Sequence, residues 1–238
     1  MLRDASGTIS QQGYHMQPIQ VISINLGMVN AYIVRQDGVI IIDTGIPGSE
    51  YATLKALRQA GIGLQELRLI LVTHGHGDHA GSAAHLQEIT GAPIAVHKND
   101  SGMLETGTQG RLVPTGMTER ISDVFLRSVN SPRYPAVNPH IVISGTMDLA
   151  PYGIVGTVIP TPGHTMGSVS VVLGNGDALT GDLIVPQIPS GKPGLPFWAD
   201  NPVDIYESVN TLLEYSPQTF FLGHGSPFSA EVVRQMVD

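Results

Sequence analysis

The segment His74-Gly75-His76-Gly77-Asp78-His79 places four side chains able to bind a metal within six consecutive positions. It follows an apolar run at 67–72 (LRLILV) that reads as a buried strand. In extended chain, side chains two positions apart share a face, so His74 and His76 can address one cation. Asp78 and His79 fall where the chain turns into a helix and can point back toward a second position. Gly75 and Gly77 permit the tight backbone approach this needs. A solvated polar loop would explain one histidine; it explains three histidines and an aspartate at this spacing poorly. The spacing also differs from the helical His-Glu-x-x-His zinc motif, which uses one helix face.

Three further residues repeat the pattern. His164 in Thr161-Pro162-Gly163-His164-Thr165, Asp182 in Thr180-Gly181-Asp182 and His224 in Leu222-Gly223-His224-Gly225 each sit beside glycine, just past a predicted strand. Jointly these segments supply five histidines and two carboxylates at strand ends. The chain has no cysteine, so disulfides, thiol catalysis and thiolate-bound metal are excluded. Imidazole with carboxylate suits two borderline or harder divalent ions with open positions.

The elements that must position these groups alternate. Strands are predicted at 19–26, 29–35 and 39–42, with Asp37-Gly38 as the hairpin turn between the last two. Val39-Ile40-Ile41-Ile42 shows no alternation and predicts burial on both faces. A helix follows, with Ser49 as N-cap, an apolar stripe of Tyr51, Leu54 and Leu57, and a stop at Gly61. After the strand at 67–72 comes a helix over 79–90 with Leu86 and Ile89 inward, then a strand at 93–96. Residues 98–140 read as an insertion or lid, containing a possible helix at 117–129 with Ile121, Val124, Phe125 and Val129 inward. Strands return at 141–143, 154–159, 168–173 and 178–180. A Pro/Gly-rich loop spans 185–200. Asn201-Pro202 then opens a helix with Val203, Tyr206, Val209, Leu212 and Leu213 as its stripe. A strand at 219–222 and a helix capped by Ser229 end the chain. Strand and helix in alternation predict an α/β layered domain over 1–238.

Composition narrows the partners. The 238 residues carry 12 Lys plus Arg against 20 Asp plus Glu, a net charge of −8. Phosphate binding depends on cationic side chains, so neither nucleic acid nor an anionic membrane is expected as a partner. No apolar run approaches membrane-spanning length, and 1–7 has no secretory apolar region. A soluble, cytoplasmic protein acting on a small molecule is expected, with homo-oligomerisation left open.

The set His74, His76, Asp78, His79, His164, Asp182 and His224, preceded by Asp43-Thr44-Gly45, resembles the metallo-β-lactamase superfamily from about residue 19 to 228. The resemblance implies an αβ/βα four-layer sandwich: two mixed β-sheets face to face, helices outside, metals at the sheet edge. It implies His74, His76 and His164 on one metal, Asp78, His79 and His224 on the other, and Asp182 bridging. It gives Asp43 the task of orienting a ligand histidine and Asp78 that of relaying a proton to the departing group. Zn²⁺ is the expected ion, with Mn²⁺ or Fe²⁺ as substitutes. A hydroxide bridging the two ions would then cleave an ester, thioester, lactone or amide bond. Asp-Thr-Gly after a strand is also the aspartic-protease signature, but that chemistry needs two such aspartates and the chain has one copy.

Departures from family patterns shape the expectation further. Asp182 stands where some lactamases have cysteine, and other lactamases lack this bridging aspartate, so a non-lactamase branch is indicated. Histidine at 76 favours hydrolysis over the redox chemistry of flavodiiron relatives, and the intact second site argues against the mononuclear persulfide dioxygenases. The low positive charge does not suit tRNA-processing members. A lactonase or glyoxalase II-like thioesterase remains, although glyoxalase II enzymes carry a C-terminal glutathione-binding domain and only 14 residues follow His224 here. A metal-binding regulatory module without turnover is the alternative from another class. Phe197 and Trp198 in the 184–200 loop are candidates for an apolar substrate wall. Tyr134 and His140 could reach a substrate from the insertion, whereas His15, His85 and His97 have no companions at ligand spacing.

Overall fold

The computed structural model describes residues 16–110, 112–115 and 133–237. The expected helix at 117–129, His15 and the N-terminal segment lie outside these residues.

The first sheet comprises β1 (Gln20–Asn25), β2 (Asn30–Arg35), β3 (Val39–Ile42), β4 (Leu67–Leu71), β5 (Ile94–His97) and β6 (Ile141–Ile143), in that spatial order. β1 to β3 run antiparallel and β3 to β6 parallel. The helices α1 (Glu50–Gln59), α2 (Gly77–Ala80), α3 (Ala83–Thr90) and α4 (Ser101–Thr106) connect them. The second sheet begins with β7 (Met147–Asp148), β8 (Gly156–Pro160), β9 (Val169–Leu173) and β10 (Asp177–Leu179). A small hairpin follows, β11 (Val185–Pro186) with β12 (Pro193–Gly194), then helix α5 (Pro202–Glu214). β13 (Thr219–Phe221) inserts beside β10 in parallel, β14 (Phe228–Ser229) forms the edge, and α6 (Ala230–Arg234) closes the chain.

Three apolar layers define the four-layer sandwich. Ile33, Ile41, Ile70 and Ile94 on one face of the first sheet pack with Leu57 and Leu86 of its helices. Val34, Ile40, Ile42, Leu69 and Leu71 on the other face meet Val158, Val171 and Leu179 of the second sheet. Ile159, Ala178 and Phe220 pack outward with Val209 and Leu212 of α5. The unbroken apolar run of β3 is thus shared between two layers, Val39 and Ile41 to the helix side, Ile40 and Ile42 to the sheet interface.

Several local expectations are corrected. Of the expected stripe of α1, Leu57 is buried and Leu54 packs on the core, but Tyr51 is 75 % exposed, and Glu50 and Thr53 are buried beside Leu57. Glu50 is drawn in because its carboxylate accepts a 2.8 Å hydrogen bond from Ser82 Oγ. The same serine interrupts the helix expected over 79–90, dividing it into α2 and α3. Its single hydroxyl proton is shared between Glu50 and Ile46 O, 2.7 Å away, and its N–H donates to Thr44 Oγ1. Ile89, Val203 and Tyr206 are exposed, while Ile205 and Ser208 fill the inner face of α5. The 98–140 segment contains α4, which composition did not suggest, and its strand-like contact Pro114↔Trp198 docks it against the 185–200 loop.

Candidate metal centre

The parallel strands β3, β4 and β5 end at one edge, where they release Asp43, the 73–79 segment and Asp100. The second sheet ends on the same edge through Thr161–His164 after β8, Asp182 after β10 and His224 after β13. Val169 N–H to Thr73 O (2.9 Å) and Asn30 N–H to Gly223 O (2.7 Å) stitch the sheets together there. Asp43 adopts φ 61°, a left-handed turn that aspartate tolerates better than most residues and that aims its carboxylate back at the cluster.

All seven ligand candidates converge. Three groups have ligand atoms within 4.8 Å of one another: His74/His76/His164, His74/His79/Asp182 and Asp78/His79/His224. His164 Nε2 lies 2.9 Å from His76 Nδ1 and 3.2 Å from His74 Nε2. Asp182 reaches both sides: Oδ1 is 3.2 Å from His79 Nε2, and Oδ2 is 3.2 Å from His224 Nε2 and 3.6 Å from His164 Nε2. Asp78 Oδ2 is 3.4 Å from His224 Nε2.

The partners of the outer ring nitrogens set the tautomers. His79 Nδ1–H donates to Asp43 Oδ2 (2.8 Å), His164 Nδ1–H to Trp198 O (2.7 Å) and His224 Nδ1–H to Met28 O (2.6 Å). Thr73 Oγ1 gives its own proton to Asp43 Oδ2 (2.8 Å), so it accepts from His74 Nδ1–H at 3.1 Å. Each Nε2 of these four rings therefore faces inward, where it offers a lone pair once the ring is neutral. Ring nitrogens this close need a proton or a cation between them. His79 Nε2 and Asp182 Oδ1 are moreover buried and, though 3.2 Å apart, make no well-aligned hydrogen bond with each other or with any other group. A donor set of imidazoles and carboxylates with orphaned buried atoms fits divalent ions.

Charge divides the cluster. Burial, reinforced for His74 and His76 by neighbouring imidazoles, holds His74, His76 and His164 below the usual histidine range, His76 at about 3. Burial opposes charge on His79 and His224 too, but Asp182 outweighs it, aided by Asp43 and Asp78 at His79 and by Asp78 at His224. His79 is held well above its ordinary value and His224 at about 10. Burial works against ionising Asp182 and Asp78, yet the adjacent histidines keep Asp182 well below the carboxylate range and Asp78 at about 2.

The other expected site residues separate. Phe197 is 40 % exposed beside half-buried Trp198, their rings edge-to-face at 6.1 Å, and the Trp198 carbonyl holds His164. Tyr134 is buried, its hydroxyl donating to Gly75 O at 2.8 Å. His140 is not brought to the cluster: its Nδ1 accepts from Ile94 N–H, at the start of β5 and so at the opposite end of the sheet. Sequence reasoning missed Asp100, whose Oδ2 accepts from Gly75 N–H and Thr165 Oγ1–H, each at 2.8 Å. It lies three residues past β5 with no glycine beside it, so the pattern that identified the ligands did not reach it.

Comparisons with known proteins bear on the family and the fold. Residues 24–224 match the family model described as metallo-beta-lactamase superfamily. The uncharacterized protein YobT of Bacillus subtilis (strain 168) is 30 % identical over 208 residues, 83 % of each chain. The probable metallo-hydrolase YflN of the same strain is 24 % identical over 98 % of this chain and 91 % of its own. In fold, the chain is similar to the BLEG-1 B3 metallo-beta-lactamase, with a TM-score of 0.68 at 20 % identity over 91 % of this chain and 97 % of that one. No helix among the described residues is long and apolar enough to cross a membrane. The chain belongs to the metallo-β-lactamase superfamily.

Proposed function

We propose that the protein is a hydrolase dependent on two divalent metal ions that cleaves an ester, thioester, lactone or amide bond of a small molecule. The observation that carries this reading is the convergence of seven imidazole and carboxylate groups into two adjoining sets that share Asp182. His74, His76 and His164 would hold one ion, Asp78, His79 and His224 the other, with Asp182 between them. Zn²⁺ is the preferred occupant, and Mn²⁺ or Fe²⁺ suits the same donors. Such ions supply Lewis acidity, polarising the oxygen of the scissile bond and making water acidic enough to attack near neutral pH.

The chain's own groups divide the remaining work. Asp78 is the most open of the carboxylates, its side chain 39 % exposed, and it stays ionised beside His224 and His79. It is placed to accept the proton that water loses and pass it to the leaving atom. Asp43 keeps His79 in the tautomer that points Nε2 inward. Phe197 and Trp198 offer an apolar wall to the part of the substrate that does not react. Incubation with a chelator should abolish hydrolysis across a panel of thioesters, aryl esters and lactones, and Zn²⁺ or Mn²⁺ should restore it. Hydrolysis indifferent both to chelation and to His76→Ala would overturn the proposal.

A further inference from the structure

Ring nitrogens of His74 and His76 lie within 3.2 Å of His164 Nε2, so the loops that carry them must be held in one arrangement for a cation to meet all three. Asp100 occupies the position for that task. It is 1 % exposed, and one oxygen, Oδ2, accepts both Gly75 N–H and Thr165 Oγ1–H at 2.8 Å. Gly75 is the residue between His74 and His76, and Thr165 follows His164. One carboxylate oxygen therefore ties together the two loops that carry all three imidazoles. Charge on the acceptor makes such bonds shorter and stronger than neutral ones.

Neighbouring contacts serve the same clamp. Tyr134 donates to Gly75 O at 2.8 Å, so the peptide groups on both sides of Gly75 are held. Asn99 Nδ2 donates to Met166 O at 2.8 Å, and Ser168 Oγ accepts from Thr165 N–H at 3.0 Å. Gly167 leaves room for the carboxylate: a Cβ there would overlap Asp100. The other set has its own carboxylate in Asp43, which grips His79 and Thr73.

We propose that Asp100 is a positioning residue that pre-sets the His74/His76/His164 set for its cation, as the counterpart of Asp43 on the other set. The inference rests on the metal-centre reading above. Its test is Zn²⁺ affinity, measured by competition with a chromophoric chelator on the full-length metal-stripped chain. The equivalent that His76→Ala abolishes marks the set in question. Asp100→Ala should weaken that equivalent by about 10–100-fold, the usual effect of losing an outer partner of a ligand, and leave the other within twofold. Asp100→Asn, which retains an acceptor oxygen, should recover most of the loss. Should Asp100→Ala not fold, Thr165→Val removes one of the two tied bonds and should lower the same equivalent severalfold. Unchanged affinity in the folded alanine variant, or in Thr165→Val when that variant stands alone, overturns the inference, as does an equal loss at both equivalents. Failure of the wild-type chain to bind Zn²⁺ at all would overturn the metal-centre reading itself, a result distinct from a wild type that binds two ions and an Asp100 variant that binds identically.

Discussion

The two halves of the centre are built from similar residues and differ in burial and proton affinity. His74, His76 and His164 are 1 %, 7 % and 4 % exposed, and burial above all keeps them neutral. In the other half only His79 is sealed; the side chains of His224 and Asp78 are 28 % and 39 % exposed. There the carboxylates keep protons on the imidazoles until a cation displaces them. The contrast teaches that ligand identity alone does not set a site's behaviour. On the proposed two-ion reading, the closed half would retain its ion and the open half would exchange ligands with solvent and substrate.

Substitutions should show this asymmetry. His76→Ala removes a ligand that water cannot easily replace, and the several kcal/mol of charge stabilisation at stake correspond to a fall in kcat/KM of about 10³-fold. His224→Ala should cost less, about 10–100-fold, since solvent can enter the vacated place. Equal losses would remove the distinction. Asp78→Asn keeps the shape and removes the base, so kcat should fall about 10²-fold with KM little changed. A loss confined to KM would reassign Asp78 to substrate binding.

A pH series sharpens the comparison. Cation binding needs neutral imidazole. His224, at about 10, holds its proton at pH 7 in the metal-free chain, whereas His76, at about 3, does not. Lowering the pH from 8 to 6 should therefore weaken Zn²⁺ binding at the open half by about tenfold per unit for each proton displaced. The closed half should hold its affinity. His76→Ala and His224→Ala, each leaving one half, allow the two slopes to be measured separately. The smallest effect is expected at Trp198→Ala, which should change KM severalfold among acyl chains of different length and leave kcat nearly constant. Kinetics identical on every ester would dismiss the apolar wall.

The ligands were legible in the sequence because they cluster at strand ends and all but His79 stand beside glycine, a local feature. The unbroken apolar run of β3 marked it as buried on both faces, and its side chains do feed two cores at once; the four layers themselves came from the family resemblance. What supports the ligands was not legible. Asp100 acts on Gly75 and Thr165, 25 and 65 positions away, and Tyr134 reaches Gly75 across 59. Such contacts exist only after the sheets pack. The same holds for α1, where apolar spacing pointed to Tyr51 but the bond from Ser82 to Glu50 set the buried face. Two of the histidine tautomers rest on the carbonyls of Trp198 and Met28, groups that carry no residue-specific signal at all.

Titration of Zn²⁺ into the chelated chain, with hydrolysis followed in the same samples, tests the central claim most directly. The account predicts two equivalents per chain, the first taken up by the buried histidines, with full hydrolysis only after the second. Saturation at one equivalent with full activity, or hydrolysis before any Zn²⁺ is added, would contradict it.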